Sequence, residues 1–113
     1  MAGETPIEIT VGTDDLGAVV TVAGEVDIAT SPQLRDACRQ AVESGVDVGI
    51  DLTRVTFLDS SGLSVLVQAR QRVDELGRRF EIRAASRPAR RVLEISGLDA
   101  TLGLRAEPTA DGP

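Results

Sequence analysis

Several separate stretches of the chain alternate apolar and polar residues, the signature of strands with one buried face. Ile7, Ile9 and Val11 alternate with Glu8 and Thr10; turn chemistry over Gly12–Gly17 then leads to Val20 and Val22 around Thr21, which predicts an antiparallel hairpin. Val46, Val48, Ile50 and Leu52 alternate with Asp47, Gly49 and Asp51, and this alternation ends at Thr53. Phe80, Ile82 and Ala84 alternate with Glu81 and Arg83, and Leu102 and Leu104 offer a last short strand between Leu98 and Arg105.

Between these stretches the period changes to that of a helix. Leu34, Ala37, Cys38 and Ala41 form one stripe after Ser31-Pro32, read as N-cap and first helical residue, and Gly45 ends it near Ser44. Leu63, Leu66, Val67, Ala69, Val73 and Leu76 form a second, closed by Gly77. Pro88 opens a third, with Val92, Leu93 and Ile95 apolar and Gly97 as its stop. A strand reached across a helix is expected to run parallel to the one before. Strands apolar on one face only call for a mixed sheet with helices mainly on one side, since a doubly wound parallel sheet needs strands apolar on both faces.

With 113 residues, the chain is expected to be a single domain over residues 1–107, with a disordered tail at 108–113. Two Phe and no Trp or Tyr leave Val, Leu, Ile and Ala to fill its core. No run approaches membrane-spanning length and the acidic start is unlike a signal peptide, so a cytoplasmic location without membrane insertion is expected. A net charge of −6 opposes binding to nucleic acid. Arg78, Arg79, Arg83, Arg87, Arg90 and Arg91 make a basic cluster, read as a solvated face in preference to an acidic partner's site.

The residues with chemistry in reach gather at the start of the second helix, in Asp59-Ser60-Ser61-Gly62-Leu63. Asp59 or Ser60 suits the N-cap, because a short oxygen-bearing side chain there accepts a first-turn amide. One cap needs one oxygen, and three stand in a row. None of them has the makings of a catalytic nucleophile: the chain has no His, no Lys and no Tyr to act as a base. A lone Cys38 on an apolar stripe reads as a small buried hydrophobe, and without His the usual zinc ligand sets cannot form. The expectation is a protein that is not an enzyme and uses no cofactor or metal.

The run from Asp51 through Leu58 into Asp59-Ser60-Ser61-Gly62-Leu63 resembles the signature of STAS-domain anti-sigma factor antagonists, in which a strand leads to Asp-Ser-Ser/Thr-Gly-aliphatic. Gly24-Glu25-Val26-Asp27 is a second match, to a loop that in the family lies beside the phosphorylated serine and helps form the partner-binding surface. The resemblance spans about residues 7 to 105 and implies an α/β STAS-like fold with a four- to five-stranded mixed sheet. Family members usually end with a further helix, for which this sequence has no candidate.

By position, the resemblance makes Ser60 the phosphorylation acceptor and Glu25, Asp27, Thr30, Asp59, Ser60, Ser61 and Gly62 the partner-binding residues. It implies binding to an anti-sigma factor that is also a serine kinase, release of the sigma factor, inactivation by phosphorylation of Ser60, and a serine phosphatase to reverse it. On residue types alone, Val26 reads as a core residue, and Asp27 as a helix cap or a bond within its own loop as readily as a contact. An alternative within the same fold is a STAS accessory subunit of a transport or lipid-trafficking ABC complex, never phosphorylated.

Overall fold

The computed structural model describes residues 7–106, which form β1 (Ile7–Asp14), β2 (Gly17–Val26), α1 (Ser31–Glu43), β3 (Val48–Leu58), α2 (Ser60–Glu75), β4 (Phe80–Ala85) and α3 (Arg87–Ser96). The strands lie in the order β1-β2-β3-β4. β1 runs antiparallel to β2, and β2, β3 and β4 are mutually parallel, as the crossovers through α1 and α2 require.

The hairpin turn is tighter than the turn residues suggest. β1 continues to Asp14, whose side chain accepts the Leu16 amide at 2.8 Å, and β2 starts at Gly17. Gly17 is required there: its φ is +138° and a Cβ would stand 2.2 Å from the Asp47 carbonyl oxygen.

One sheet face is apolar and covered. Val20, Val22, Ile50, Leu52 and Ile82 are buried on it, and α1 and α2 pack over β1–β2 and β3–β4 respectively and against each other. α3 lies against β3 and β4, with Ala89 and Leu93 buried. The intervening residues Thr21, Asp51, Glu81 and Arg83 remain partly exposed. Arg83 reaches across that open face to Asp14 and lies 3.4 Å from Glu81, which also pairs with Arg105 at 2.8 Å. Its side chain is only 15% exposed, so Arg83 does not belong to the solvated basic cluster expected of it.

Further expectations are corrected. β3 does not stop at Thr53 but reaches Leu58, because the β2–β3 register shifts between Thr21 and Ala23 and again between Gly24 and Glu25. Those irregularities break the period of two, so the last inward residues, Val55 and Leu58, are spaced three apart. Gly24, Glu25 and Val26 likewise lie within β2, and the loop is shorter. Val46 precedes β3 and is exposed, as are Leu76 at the end of α2 and Ile95, while Val65 is buried.

No strand forms over 98–105. Gly103, at φ +66°, turns the chain so that one isolated bridge joins Leu104 to Ile82, and Leu102 is buried. The described sheet therefore has four strands. The expected tail at 108–113 lies outside the described residues.

Candidate functional site

β2 and β3 are parallel neighbours, so the loop into α1 and the turn into α2 leave the same end of the sheet. The two are joined directly: the Asp59 amide donates to the Val26 carbonyl at 3.2 Å, continuing the pairing of Val26 with Leu58. Gly62 brings them closer still. It is buried, and a Cβ there would stand 2.6 Å from both Leu58 Cδ1 and Val26 Cγ1. Only a residue without a side chain lets the first turn of α2 settle on these two core residues.

Asp59 is the N-cap of α2, with extended backbone, and its Oδ1 accepts the Ser61 amide at 2.9 Å. The Ser61 hydroxyl donates to the same oxygen. That hydroxyl, with the Ser61 and Gly62 amides adding and burial opposing, holds the Asp59 carboxyl below its ordinary range. Of the three oxygens in a row, two thus satisfy each other. Ser60 is left exposed as the first residue of the helix, and its hydroxyl takes no hydrogen bond among the described residues.

The other loop is organised by Asp27 and Thr30. Asp27 Oδ1 accepts the amides of Ala29 and Thr30, each at 3.0 Å, while Thr30 Oγ1 accepts the Asp27 amide at 2.9 Å and donates to the Glu25 carbonyl at 2.8 Å. Asp27 therefore bonds its own loop rather than capping α1. The N-cap position of α1 falls on Thr30, one residue before the expected Ser31, and Thr30 makes no side-chain cap bond because its hydroxyl is turned back into the loop.

The structure brings Glu25, Asp27, Thr30, Asp59, Ser60, Ser61 and Gly62 to one end of the sheet, with unequal access. Glu25 and Ser60 are exposed, and Asp27, Asp59 and Ser61 are half-buried. Thr30 and Gly62 are buried and shape the surface from beneath. Sequence periodicity did not single out Ile28, at the tip of the Asp27–Thr30 turn, which is 80% exposed. The available signal was a β-branched residue where a turn ordinarily takes a small or polar one.

A hydroxyl, a carboxylate already engaged by Ser61 and backbone amides can present an acceptor or a docking surface. Among the described residues no three His, Cys, Asp or Glu side chains group so as to hold a metal ion. No described helix is long and apolar enough to cross a membrane. Cys38 is buried in α1, and burial pushes its thiol up to about 12.

Fold and site together are those of a STAS domain. The family model described as "Mlab, STAS domain" matches residues 9–105, and the chain belongs to the STAS-domain family of anti-sigma factor antagonists. It is 32% identical over 88 residues to the anti-sigma-B factor antagonist of Bacillus subtilis, covering 78% of this chain and 81% of that protein. To the anti-sigma-F factor antagonist RsfB of Mycobacterium tuberculosis it is 30% identical over 105 residues, covering 92% and 85%. An anti-sigma factor antagonist from Mycobacterium paratuberculosis superposes with a TM-score of 0.79 at 34% identity, over 94% of this chain and 89% of that one.

Proposed function

We propose that this protein is an anti-sigma factor antagonist: unphosphorylated, it binds an anti-sigma factor that is also a serine kinase and so frees a sigma factor, and phosphorylation of Ser60 ends that binding. The observation that carries the reading is the isolation of the Ser60 hydroxyl, exposed at the mouth of α2 while its neighbours Asp59 and Ser61 bond to each other. A kinase substrate needs little more than such exposure, since the partner supplies ATP, metal and base. The names of the relatives support the partner class.

Electrostatics favour a switch at the docking surface over one inside the fold. Phosphorylation adds about −1.5 to −2 charges. The N-terminus of α2 attracts each by roughly 0.3 to 1 kcal/mol. Asp59, anionic at neutral pH, repels each by about 0.7 kcal/mol at ~6 Å in water. The terms nearly cancel, so the domain keeps its shape. At an interface, desolvating a dianion without a cationic mate costs several kcal/mol, roughly a thousandfold in affinity or more.

The site works in the cytoplasm on this reading, with a serine phosphatase restoring the hydroxyl. The test is incubation with candidate serine-kinase anti-sigma factors and ATP, followed by mapping of the modified residue and titration of the partner against both forms. Incorporation at Ser60, abolished in Ser60→Ala, with loss of binding on phosphorylation, is the expected result. Equal, tight binding of phosphorylated and unphosphorylated protein contradicts the switch. Co-purification with an ATP-binding transporter, with no phosphate on Ser60, would assign the domain to a transport complex instead.

A further inference from the structure

Ile28 stands at the tip of the turn between β2 and α1, and neither the turn nor the core accounts for it. The turn is closed without its side chain: the Thr30 amide donates to the Asp27 carbonyl at 3.1 Å and the Ser31 amide to the same oxygen at 2.7 Å, while the Asp27 and Thr30 side chains take the remaining bonds. Turn positions of this kind favour Pro, Asp, Asn, Ser or Gly, and a β-branched aliphatic is among the less suitable choices. Packing gives no reason either, because the side chain is 80% exposed.

Its position is tied to the Ser60 site. Val26, two residues before Ile28, accepts the Asp59 amide, and Gly62 rests on Val26. Ile28 and Ser60 thus leave one hydrogen-bonded corner at the same end of the sheet, each one or two residues from the bond that joins their loops. Because the Asp27–Thr30 bonds hold the turn, burying Ile28 in a partner orders little that is not already ordered, and less of the gain is lost to entropy.

We infer that Ile28 is the apolar anchor of the docking surface, inserting into an apolar pocket of the serine-kinase anti-sigma factor beside the point where Ser60 meets its kinase centre. This rests on the function proposed above and deepens it: one residue supplies affinity and the hydroxyl on the neighbouring loop supplies control. The two roles are separable. Removing the anchor weakens the complex of the unphosphorylated protein without touching the acceptor, whereas the Ser60 hydroxyl decides only whether the docked complex is tolerated.

Ile95 provides an internal control. It is equally apolar and 78% exposed, but lies near the end of α3, in another part of the chain. The experiment measures binding of the kinase that modifies Ser60 to wild type, Ile28→Ser, Ile28→Thr and Ile95→Ser, with thermal melting as the folding control. Full burial of such a side chain predicts that Ile28→Ser weakens binding about ten- to a hundredfold. Ile28→Thr, which keeps the branch and stiffens the turn equally, is expected to weaken it less, and Ile95→Ser not at all.

In phosphorylation assays the same change raises the KM for this protein and leaves kcat unaltered, since the anchor binds ground state and transition state alike. Wild-type affinity for both Ile28 variants overturns the anchor while leaving the phosphorylation switch intact. So does an equal loss in Ile95→Ser, which would make the effect one of general surface apolarity. Failure of wild type to bind or accept phosphate from any such kinase overturns the functional reading itself, and the anchor with it.

Discussion

Gly62 lies against Val26 so closely that a Cβ would fall 2.6 Å from Val26 Cγ1, which locks the start of α2 onto the end of β2. Val26 is fully buried and has no freedom to retreat. Gly62→Ala should therefore destabilise the fold by about 1–3 kcal/mol, in spite of alanine's better helix propensity. Urea unfolding measures this, and an unchanged or raised midpoint would show that the corner is looser than described.

The three oxygens of the α2 mouth should separate cleanly by mutation. Asp59→Ala removes the cap and is expected to lose about 1 kcal/mol of stability. Ser61→Ala loses a smaller share, since the Ser61 amide still reaches Asp59. Ser60→Ala should leave stability within about 0.5 kcal/mol of wild type, as for other exposed positions, while abolishing phosphate incorporation. Chemical denaturation of the three variants, paired with intact-mass analysis after kinase treatment, provides both measurements.

Acid should weaken the fold partly through Asp59. Its carboxyl is held below the ordinary value of 3.8 in the folded protein by the Ser61 hydroxyl, so in acid the unfolded chain takes up a proton more readily than the folded one. The stabilisation is fully present above the unfolded value and is lost as pH falls through the folded one. Between about pH 5 and pH 2, Asp59→Asn, which keeps the capping oxygen but cannot ionise, should show a shallower decline in urea midpoint than wild type. Asp14, lowered by its bond to Arg83, leaves a residual slope in the variant. Parallel profiles for the two proteins would exclude Asp59 as a source.

On the open face of the sheet, Arg83 lies over Gly49, where a Cβ would stand 2.2 Å from its Nε. Gly49→Ala is expected to push the flexible guanidinium off its seat and separate it from Asp14, with only a small fall in the urea midpoint because the side chain can move aside. The charge contribution can be isolated by adding salt. Wild type should lose part of its margin over the variant at high ionic strength, because the Asp14 side of the pair is open to screening.

Local chemistry explains which parts of this architecture were legible. The stripes of α1 and α2 were readable because one face of each helix is buried, so period and burial coincide at Leu34, Cys38, Leu66 and Val73. The end of β3 was not, since its register shifts are produced by pairing with β2 and leave no mark on residue order. Arg83 looked like one more solvated arginine; its burial depends on the absence of a side chain at Gly49, a strand away.

For the site, residue order alone determined that oxygen-bearing side chains cluster where a helix begins, that no base is at hand, and that Asp59 or Ser60 would cap, because capping, turn and acid–base chemistry act over a few bonds. Which hydroxyl remains free was decided only in three dimensions. Asp59 and Ser61 choose each other, Thr30 turns inward, and the bond between Val26 and Asp59, 33 residues apart in numbering, holds Ile28 and Ser60 at one corner. Those choices arise from strand register and close packing, which relate residues distant in sequence.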